Sequence, residues 1–249
     1  MTEIKLCVTE SADAVLVEQI SKKLNIKPQD EAEMDDSLYL KVDESGVSLK
    51  KGKLEMQGDF SKLLNRVKPG KISQEILLKA AKFKGATKVL KAIDATAGMG
   101  EDSFILAAAG FDVTLFEKDP IIGILLEDAL RRASRDEELS KIVARMHFME
   151  GDSIEYMRKC KDDIDLIYLD PMFPERTKSG LIKKKFQLLG QLEAPATDGE
   201  EMFAAARNVN PVKIVIKRPA KGENLGGIKP HYSIDGKAIR YDCFVFPRS

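Results

Sequence analysis

Two short motifs contain residue types that could act on a nucleotide-like ligand. The first is Asp-Ala-Thr-Ala-Gly-Met-Gly-Glu-Asp at 94–102, and the second is Asp-Pro-Met-Phe-Pro at 170–174. Each follows an apolar run that is typical of a buried strand. Glycines after a strand let the backbone approach a ligand closely, whereas a carboxylate beside a rigid proline and an aromatic ring can hold a planar amine. Together the motifs predict a cleft that places a nucleotide-shaped cofactor beside an amine.

Acidic residues after the next two predicted strands extend this cofactor cleft. Glu117 follows Gly100 by 17 residues and could accept hydrogen bonds from two ribose hydroxyls, as an acid at this place does in nucleotide-binding sheets. Asp152 follows a further predicted strand and could accept a hydrogen bond from an adenine amine. The simpler alternatives are an ordinary tight turn at Gly98 and Gly100, and a helix cap at Asp152.

The second motif suits transfer of a methyl group to an exocyclic amine. Such a nitrogen is a poor nucleophile because its lone pair is delocalised into the base. The Asp170 carboxylate and the Pro171 carbonyl could accept the amine hydrogens and aim the lone pair at a methyl sulfonium, while Phe173 stacks on the base for roughly 1–3 kcal/mol. This chemistry needs no metal and no covalent nucleophile, so neither is predicted. The alternative is a turn in which Phe173 packs in the core.

Basic residues beside and beyond the second motif predict contacts with phosphates. From residue 171 to the carboxyl terminus the chain holds 14 Lys and Arg against 8 Asp and Glu, although its overall formal net charge is zero. Because cationic side chains neutralise a nucleic-acid backbone, we expect six of them to contact a substrate RNA. They are Lys178, Lys183, Lys184, Lys185, Lys217 and Arg218. The alternative is a solvated basic helix face.

Composition restricts the class of protein. With 249 residues, of which 43% are hydrophobic and 32% charged, the chain can bury a core and stay in solution. It shows no run of 18 apolar residues and no secretory signal, which argues against a membrane-spanning or exported protein. Its three cysteines lie far apart, and its two histidines are too few for a histidine-rich zinc site. We therefore expect reduced thiols and a cytoplasmic location.

The elements that must position the motifs follow from hydrophobic periodicity. Residues 1–67 predict a small α+β domain of a strand, a helix and two strands, which ends at a basic Pro-Gly segment. Residues 68–249 alternate strands and helices, which predicts an α/β domain with a Rossmann-like parallel sheet covered on both faces. The predicted strands of this domain are 89–95, 112–116, 144–149, 164–169 and 213–217, with an antiparallel pair at 232–234 and 241–246. The predicted helices are 73–83, 102–109, 120–135, 153–161 and 200–208.

Several motifs resemble one known family. The motif at 94–102, Phe-Glu-Lys-Asp-Pro at 116–120, Tyr-Leu-Asp-Pro-Met-Phe-Pro at 168–174 and Val-Ile-Lys-Arg-Pro at 215–219 resemble the RsmJ family of bacterial 16S ribosomal RNA (guanine-N2)-methyltransferases. The resemblance implies a class I, seven-stranded domain that uses S-adenosylmethionine (SAM) and acts on a guanine of the small-subunit RNA. The catalytic residues that we then expect are Asp170, Pro171 and Phe173. The expected cofactor-binding residues are Asp94, Gly98, Gly100, Glu101, Asp102, Glu117, Lys118, Asp152, Ser153 and Asp170.

Two other functions fit the residues taken alone. An amine methyltransferase acting on DNA or on a protein glutamine could use the same Asp170 turn. A non-catalytic RNA-binding or ribosome-assembly protein could keep a vestigial cradle, and a test of SAM binding would distinguish it from an enzyme. The residue chemistry indicates only a planar amine as the acceptor, whereas the guanine of 16S RNA, free or in the small ribosomal subunit, is implied by the resemblance.

Overall fold

The computed structural model describes residues 4–34, 36–171, 188, 192 and 199–246. Phe173, Lys178 and the run 183–185 lie outside these residues. Their expected roles in stacking on the base and in binding RNA therefore stay predictions.

The amino-terminal part of the chain forms a five-stranded sheet with one helix. Its elements are β1 (Lys5–Val8), α1 (Ala14–Leu24), β2 (Pro28–Gln29), a 3₁₀ helix (Glu31–Glu33), β3 (Tyr39–Asp43), β4 (Gly46–Lys51) and β5 (Leu54–Met56). The strand order is β2-β1-β3-β4-β5, in which β1 pairs parallel with both neighbours and the other pairs are antiparallel. The predicted strand, helix and two strands are present, and β2 and β5, at two and three residues, were too short to give a periodic signal.

The following part of the chain is built around a second sheet, of seven strands. Its elements are α2 (Leu64–Val67), α3 (Ile76–Ala80), β6 (Lys91–Asp94), α4 (Glu101–Ala108), β7 (Asp112–Glu117), α5 (Pro120–Ala133), α6 (Ser140–Val143), β8 (Met146–Glu150), α7 (Ser153–Lys159), β9 (Leu166–Leu169), α8 (Gly199–Asn208), β10 (Lys213–Pro219), β11 (Tyr232–Asp235) and β12 (Ile239–Val245). Short 3₁₀ helices occupy Phe60–Leu63, Ile72–Gln74 and Leu225–Gly227.

The topology of this sheet confirms the predicted Rossmann-like architecture. The strand order is β11-β12-β10-β9-β6-β7-β8. The five adjacent strands β10, β9, β6, β7 and β8 are parallel. β12 pairs antiparallel with both β10 and β11, as the predicted closing pair requires. The chain winds from β6 through β7 to β8 on one side and then returns to β9 on the other. In such sheets the ligand crevice lies where the winding reverses, beyond the carboxyl ends of β6 and β9.

Apolar layers cover both faces of the sheet, because side chains alternate along its strands. In β9, Leu166 and Tyr168 pack in the layer that contains Phe104 of α4, whereas Ile167 and Leu169 pack in the layer that contains Phe203 of α8. All four residues of β9 are buried, which agrees with the continuous apolar run in the sequence. Among the described residues, no helix is both long and apolar enough to cross a membrane.

The single helix predicted over 73–83 is wrong. The chain there forms a 3₁₀ turn and then the five-residue helix α3, separated by Glu75 in an extended conformation with φ −60° and ψ 123°. The Glu75 carboxylate accepts two hydrogen bonds from Arg66, at 2.9 Å from Nε and 2.8 Å from Nη2. This pair, between residues nine positions apart, ties the segment to α2 and accompanies the interruption of the helix.

Candidate active site

The two sequence motifs meet at the carboxyl ends of the adjacent strands β6 and β9. The Ala95 amide, just after β6, donates to the Tyr168 carbonyl at 3.0 Å. One residue further, the Thr96 hydroxyl accepts a hydrogen bond from the Asp170 amide at 2.6 Å. The start of the glycine-containing loop is therefore joined directly to the Asp170 turn. This is the crevice that the strand order predicts for a ligand.

A lysine bridges the two carboxylates of the site. Lys217, near the end of β10, places Nζ 2.7 Å from Asp102 Oδ2 and 2.8 Å from Asp170 Oδ2. The buried Tyr168 hydroxyl also donates to Asp102 Oδ2, at 2.6 Å. Three separate segments, α4, the β9 turn and β10, thus converge on one ammonium group. Without it, two carboxylates near each other would repel.

The electrostatics of this cluster favour the charged forms of Lys217 and Asp102. Burial raises the pKa of Asp170, and Lys217 opposes that rise. Burial also acts to raise the pKa of Asp102, but Lys217 and the Tyr168 hydrogen bond outweigh it, so that pKa lies below its usual value. Burial acts to lower the pKa of Lys217, and the two carboxylates more than reverse this. We therefore treat the lysine as an ammonium and Asp102 as a carboxylate at neutral pH.

Asp94 organises the loop from within. It is 1% exposed, and its two oxygens accept hydrogen bonds from the Ser103 hydroxyl at 2.6 Å and the Thr96 amide at 3.1 Å. Burial raises the pKa of Asp94 to about 7. Because Thr96 in turn binds the Asp170 amide, Asp94 supports Asp170 through the loop. A direct contact between Asp94 and the cofactor stays a prediction.

The two glycines of the loop have different surroundings. Gly98 has φ +52°, and a Cβ added to it would have no heavy atom within 4 Å. Gly100 has φ +73°, and a Cβ there would lie 2.8 Å from Leu126 Cδ1. Both conformations favour glycine, but only Gly98 borders open space. A ligand could therefore approach the backbone at Gly98 and not at Gly100.

Glu117 lies beside this opening, at the end of β7. Its Oε2 accepts a hydrogen bond from the Gly98 amide at 3.0 Å, and its Oε1 accepts one from the Asp119 amide at 2.8 Å. Burial raises the pKa of Glu117. A carboxylate offers about four acceptor positions, so these bonds leave capacity for ribose hydroxyls. The ribose contact stays a prediction, supported by the proximity of Glu117 to Gly98.

Asp152 has the helix-cap role that was the simpler alternative. Its Oδ1 accepts a hydrogen bond from the Ile154 amide at 2.8 Å at the start of α7, where Ser153 is buried. Lys118 Nζ lies 3.9 Å from Asp152 Oδ2, so these two predicted cofactor residues are neighbours. Glu101 is exposed in the first turn of α4. For all four, contact with a cofactor stays a prediction.

The two predicted RNA-binding residues of β10 are engaged within the protein. Lys217 is bound by the two carboxylates described above. Arg218 is 5% exposed, and its Nε donates to the Glu223 carbonyl at 2.7 Å. These contacts favour positioning and structural roles, and contact of either residue with RNA phosphates stays a prediction.

Sequence reasoning missed three polar residues of the site. Thr96 and Tyr168 connect the two motifs, and Ser103 holds Asp94 within the first, through the hydrogen bonds given above. A signal was available for Tyr168, because it places a hydroxyl inside a buried apolar strand, where such a group needs a partner. Within the described parts of the chain, no group of three or more His, Cys, Asp or Glu residues is arranged to hold a metal ion.

Comparison with known sequences identifies the protein's relatives. A family model described as a SAM-dependent methyltransferase matches residues 19–246. The ribosomal RNA small subunit methyltransferase J of Stutzerimonas stutzeri is 36% identical over 238 residues, covering 93% of this chain and 91% of that protein. Its counterpart from Marinobacter nauticus is 36% identical over 217 residues, covering 84% and 78%. The Pseudomonas fluorescens counterpart is 45% identical over 155 residues, and the match spans 62% of this chain but only 60% of that relative.

A solved structure agrees with these sequence matches. The crystal structure of a SAM-dependent methyltransferase from Neisseria gonorrhoeae superimposes with a TM-score of 0.76 at 29% identity, covering 97% of this chain and 95% of that one. The resemblance that the motifs indicated is thereby confirmed, together with the fold and the dependence on SAM. The chain belongs to the ribosomal RNA small subunit methyltransferase J family of SAM-dependent methyltransferases.

Proposed function

We propose that this protein transfers the methyl group of SAM to the exocyclic N2 amine of a guanine in 16S ribosomal RNA. The observation that carries the proposal is the junction of the glycine loop with the Asp170 turn through Thr96 and Lys217. This junction supports a role for Asp170 in holding the amine, because it joins Asp170 to the loop that contains Gly98. The names of the relatives support ribosomal RNA of the small subunit as the substrate.

The residues around the opening suit the cofactor. When bound, SAM supplies an electrophilic methyl group on a sulfonium centre. The free space beside Gly98 admits a ligand against the backbone, and Glu117 offers acceptors to ribose hydroxyls at that place. Asp102 and Asp170 add negative charge near a cationic ligand, which attracts it. Asp152 and Lys118 lie at the ends of the next two strands, where the base of the cofactor would be held.

Asp170 and Pro171 orient the acceptor amine. An ionised Asp170 accepts one amine hydrogen, and the carbonyl of the buried Pro171 accepts the other, so the nitrogen lone pair points away from both. The Thr96 bond to the Asp170 amide and the Lys217 bond to its carboxylate fix this geometry. Correct alignment of two reacting groups can supply up to about 7–11 kcal/mol. Phe173 stacks on the guanine and keeps its plane fixed, for roughly 1–3 kcal/mol.

A substrate panel tests this proposal. SAM binding is measured by calorimetry, and transfer of labelled methyl groups is measured with free 16S RNA, small ribosomal subunits, duplex DNA and a glutamine-containing protein. We expect SAM binding and label in N2-methylguanosine of 16S RNA. Label in DNA or protein alone would favour the other amine methyltransferases, and absence of SAM binding would favour a non-catalytic RNA-binding or ribosome-assembly protein.

A cytoplasmic location is part of the proposal, because that is where bacterial ribosomal RNA is found.

A further inference from the structure

We propose that the exposed lysines of residues 68–84, the segment that contains α3, form a second RNA-binding surface, which holds the phosphate backbone of the substrate outside the active site. The inference rests on the proposed function and adds a binding surface to it. We call this surface the α3 basic strip, and define it by Lys68, Lys71, Lys79, Lys82 and Lys84.

The strip belongs to the segment of the chain with the strongest positive charge. Residues 61–92 hold nine Lys and Arg and one acidic residue, whereas the rest of the chain holds 31 Lys and Arg and 39 Asp and Glu. The one acid, Glu75, is occupied by Arg66 at 2.8 Å. A positive field this concentrated attracts a polyanion and is unfavourable for a neutral or basic partner.

The lysines of the strip are available to a partner. All five are exposed. Lys71 donates to the uncharged Asn65 side chain at 2.9 Å, and no carboxylate lies within ion-pair distance of any of the five among the residues that the structure describes. An ammonium without a protein counter-ion gives up only water and salt ions when a phosphate binds, and release of condensed counter-ions from RNA favours such binding.

The segment that carries the strip is anchored against the strand β10 and the neighbouring β11–β12 turn. At one end, a Cβ on Gly236, in the β11–β12 turn, would lie 2.8 Å from Ile76 Cδ1, which places the start of α3 beside the carboxyl end of β10. At the other end, Lys213 Nζ at the start of β10 donates to the carbonyls of Ala80 at 3.0 Å and Lys82 at 2.7 Å. The segment from Ile76 to Lys82, which includes the five-residue helix α3, therefore lies beside both ends of β10.

One end of the strip lies close to the active site. Arg66, two residues before Lys68, pairs with Glu75, and the pKa of Arg66 is raised chiefly by that pair and further by Asp102 and Glu101 of α4. Asp102 is the residue that Lys217 joins to Asp170. An RNA strand whose guanine enters the site can therefore continue towards this segment, where its phosphates would meet exposed ammonium groups.

Neutralisation of the strip tests the inference. The variant carries Lys68→Gln, Lys71→Gln, Lys79→Gln and Lys82→Gln, which remove four charges at exposed positions. The matched control carries Lys27→Gln, Lys53→Gln, Lys141→Gln and Lys161→Gln, which remove the same charge from exposed positions outside residues 61–92. Binding of both variants and of the wild type to transcribed 16S RNA is measured by filter retention between 50 and 200 mM salt, in the same preparations that are assayed for SAM binding and methyl transfer.

We expect the strip variant to bind RNA at least about 10-fold more weakly than the control, with a salt-dependence slope reduced by about 3, since each lost phosphate contact removes about 0.7–0.9. SAM affinity should stay equal in all three proteins. If the strip variant and the control had equal salt-dependence slopes while the wild type methylated 16S RNA, the strip would be overturned and the proposed function would stand. A wild type that binds RNA through the strip but methylates another substrate would contradict the proposed function and leave the strip supported.

Discussion

At the scale of single residues, Lys217 controls the state of Asp170. Lys217→Met keeps the length of the side chain and removes its charge, so Asp102 and Asp170 would repel and Asp170 would lose its orientation. We predict a kcat about 100-fold lower, the size of effect that a displacement of about 1 Å can cause.

Because transfer needs the Asp170 carboxylate, the rate falls as pH falls through the pKa of Asp170. Lys217 lowers that pKa, so its removal should shift the acid limb of the pH–rate profile to higher pH.

A neighbouring lysine provides the control for this profile. Lys221→Met removes an exposed charge four residues further along the chain and should leave the acid limb in place. If Lys217→Met instead raised only the KM for RNA, with kcat and the acid limb unchanged, Lys217 would be a phosphate contact, as the sequence alone suggested, and would not position Asp170.

Phe173 is the residue through which base recognition is best separated from cofactor binding. A stacked ring contributes roughly 1–3 kcal/mol per base, so Phe173→Ala should raise the KM for RNA by about 5- to 150-fold. SAM affinity should change little, because stacking concerns the acceptor only. Equal losses in RNA and SAM binding, measured by steady-state kinetics and calorimetry, would argue against stacking.

At the scale of elements, the turn between β6 and α4 contains one glycine that borders open space and one that is packed against a neighbouring helix. Gly98→Ala places a Cβ in open space at φ +52°, and should cost about 1–2 kcal/mol of stability for the left-handed backbone while weakening SAM binding. Gly100→Ala should have a similar backbone cost, and it also places a Cβ 2.8 Å from Leu126 Cδ1. We therefore expect its loss of stability to be about 1–3 kcal/mol larger. Urea unfolding and SAM titration of both variants test this difference. A Gly98→Ala protein with unchanged SAM affinity would place the cofactor elsewhere.

The elements also show how much of the fold and of the site could be predicted from the sequence. The strands of the parallel sheet were predictable because a strand buried on both faces is continuously apolar, as in β9. The position of Asp170 near the glycine loop followed from the rule that ligands bind at the carboxyl ends of parallel strands. The links through Thr96 and Lys217 were not predictable, since they join residues 74 and 47 positions from Asp170 and depend on the strand order. The break in the helix at Glu75 is accompanied by a pair with Arg66, nine residues earlier, which hydrophobic periodicity does not indicate.

At the scale of the whole molecule, the amino-terminal sheet and α5 share one apolar cluster. Leu40 and Leu49 of the small sheet pack in the same buried group as Ile122 and Leu125 of α5. The predicted boundary between residues 67 and 68 stays a prediction, but neither side of it could keep this surface covered if the two were separated. We therefore infer that the amino-terminal part stabilises the helix that follows β7.

Asp128 of α5 is the polar centre of this contact. It is 2% exposed, and its Oδ2 accepts hydrogen bonds from the Val47 amide at 3.0 Å and from Arg132 Nε at 2.8 Å, while Arg132 also donates to the Gly58 carbonyl. Removing one partner of a buried ion pair costs about 3–5 kcal/mol. Arg131 also pairs with Asp128, at 2.6 Å from Oδ1. Because Arg131 and Arg132 are both partly exposed, we predict a loss near 3 kcal/mol in the free energy of unfolding of Asp128→Ala.

The adjacent position is the control for that measurement. Glu127 has a side chain that is 65% exposed, and Glu127→Ala should change the free energy of unfolding by less than about 0.5 kcal/mol. Equal, small effects of both substitutions in urea titrations would mean that the two parts of the protein are held together by the apolar cluster alone.

The most direct test of the whole account is a single-turnover comparison of Asp170→Ala with the wild type on 16S RNA. The account predicts a variant that is folded by circular dichroism and still binds SAM. Its transfer of label to guanine N2 should be slower by about 100- to 1,000-fold, as expected when one group that stabilises a transition state is lost. A folded Asp170→Ala protein that methylated the RNA at the wild-type rate would contradict it.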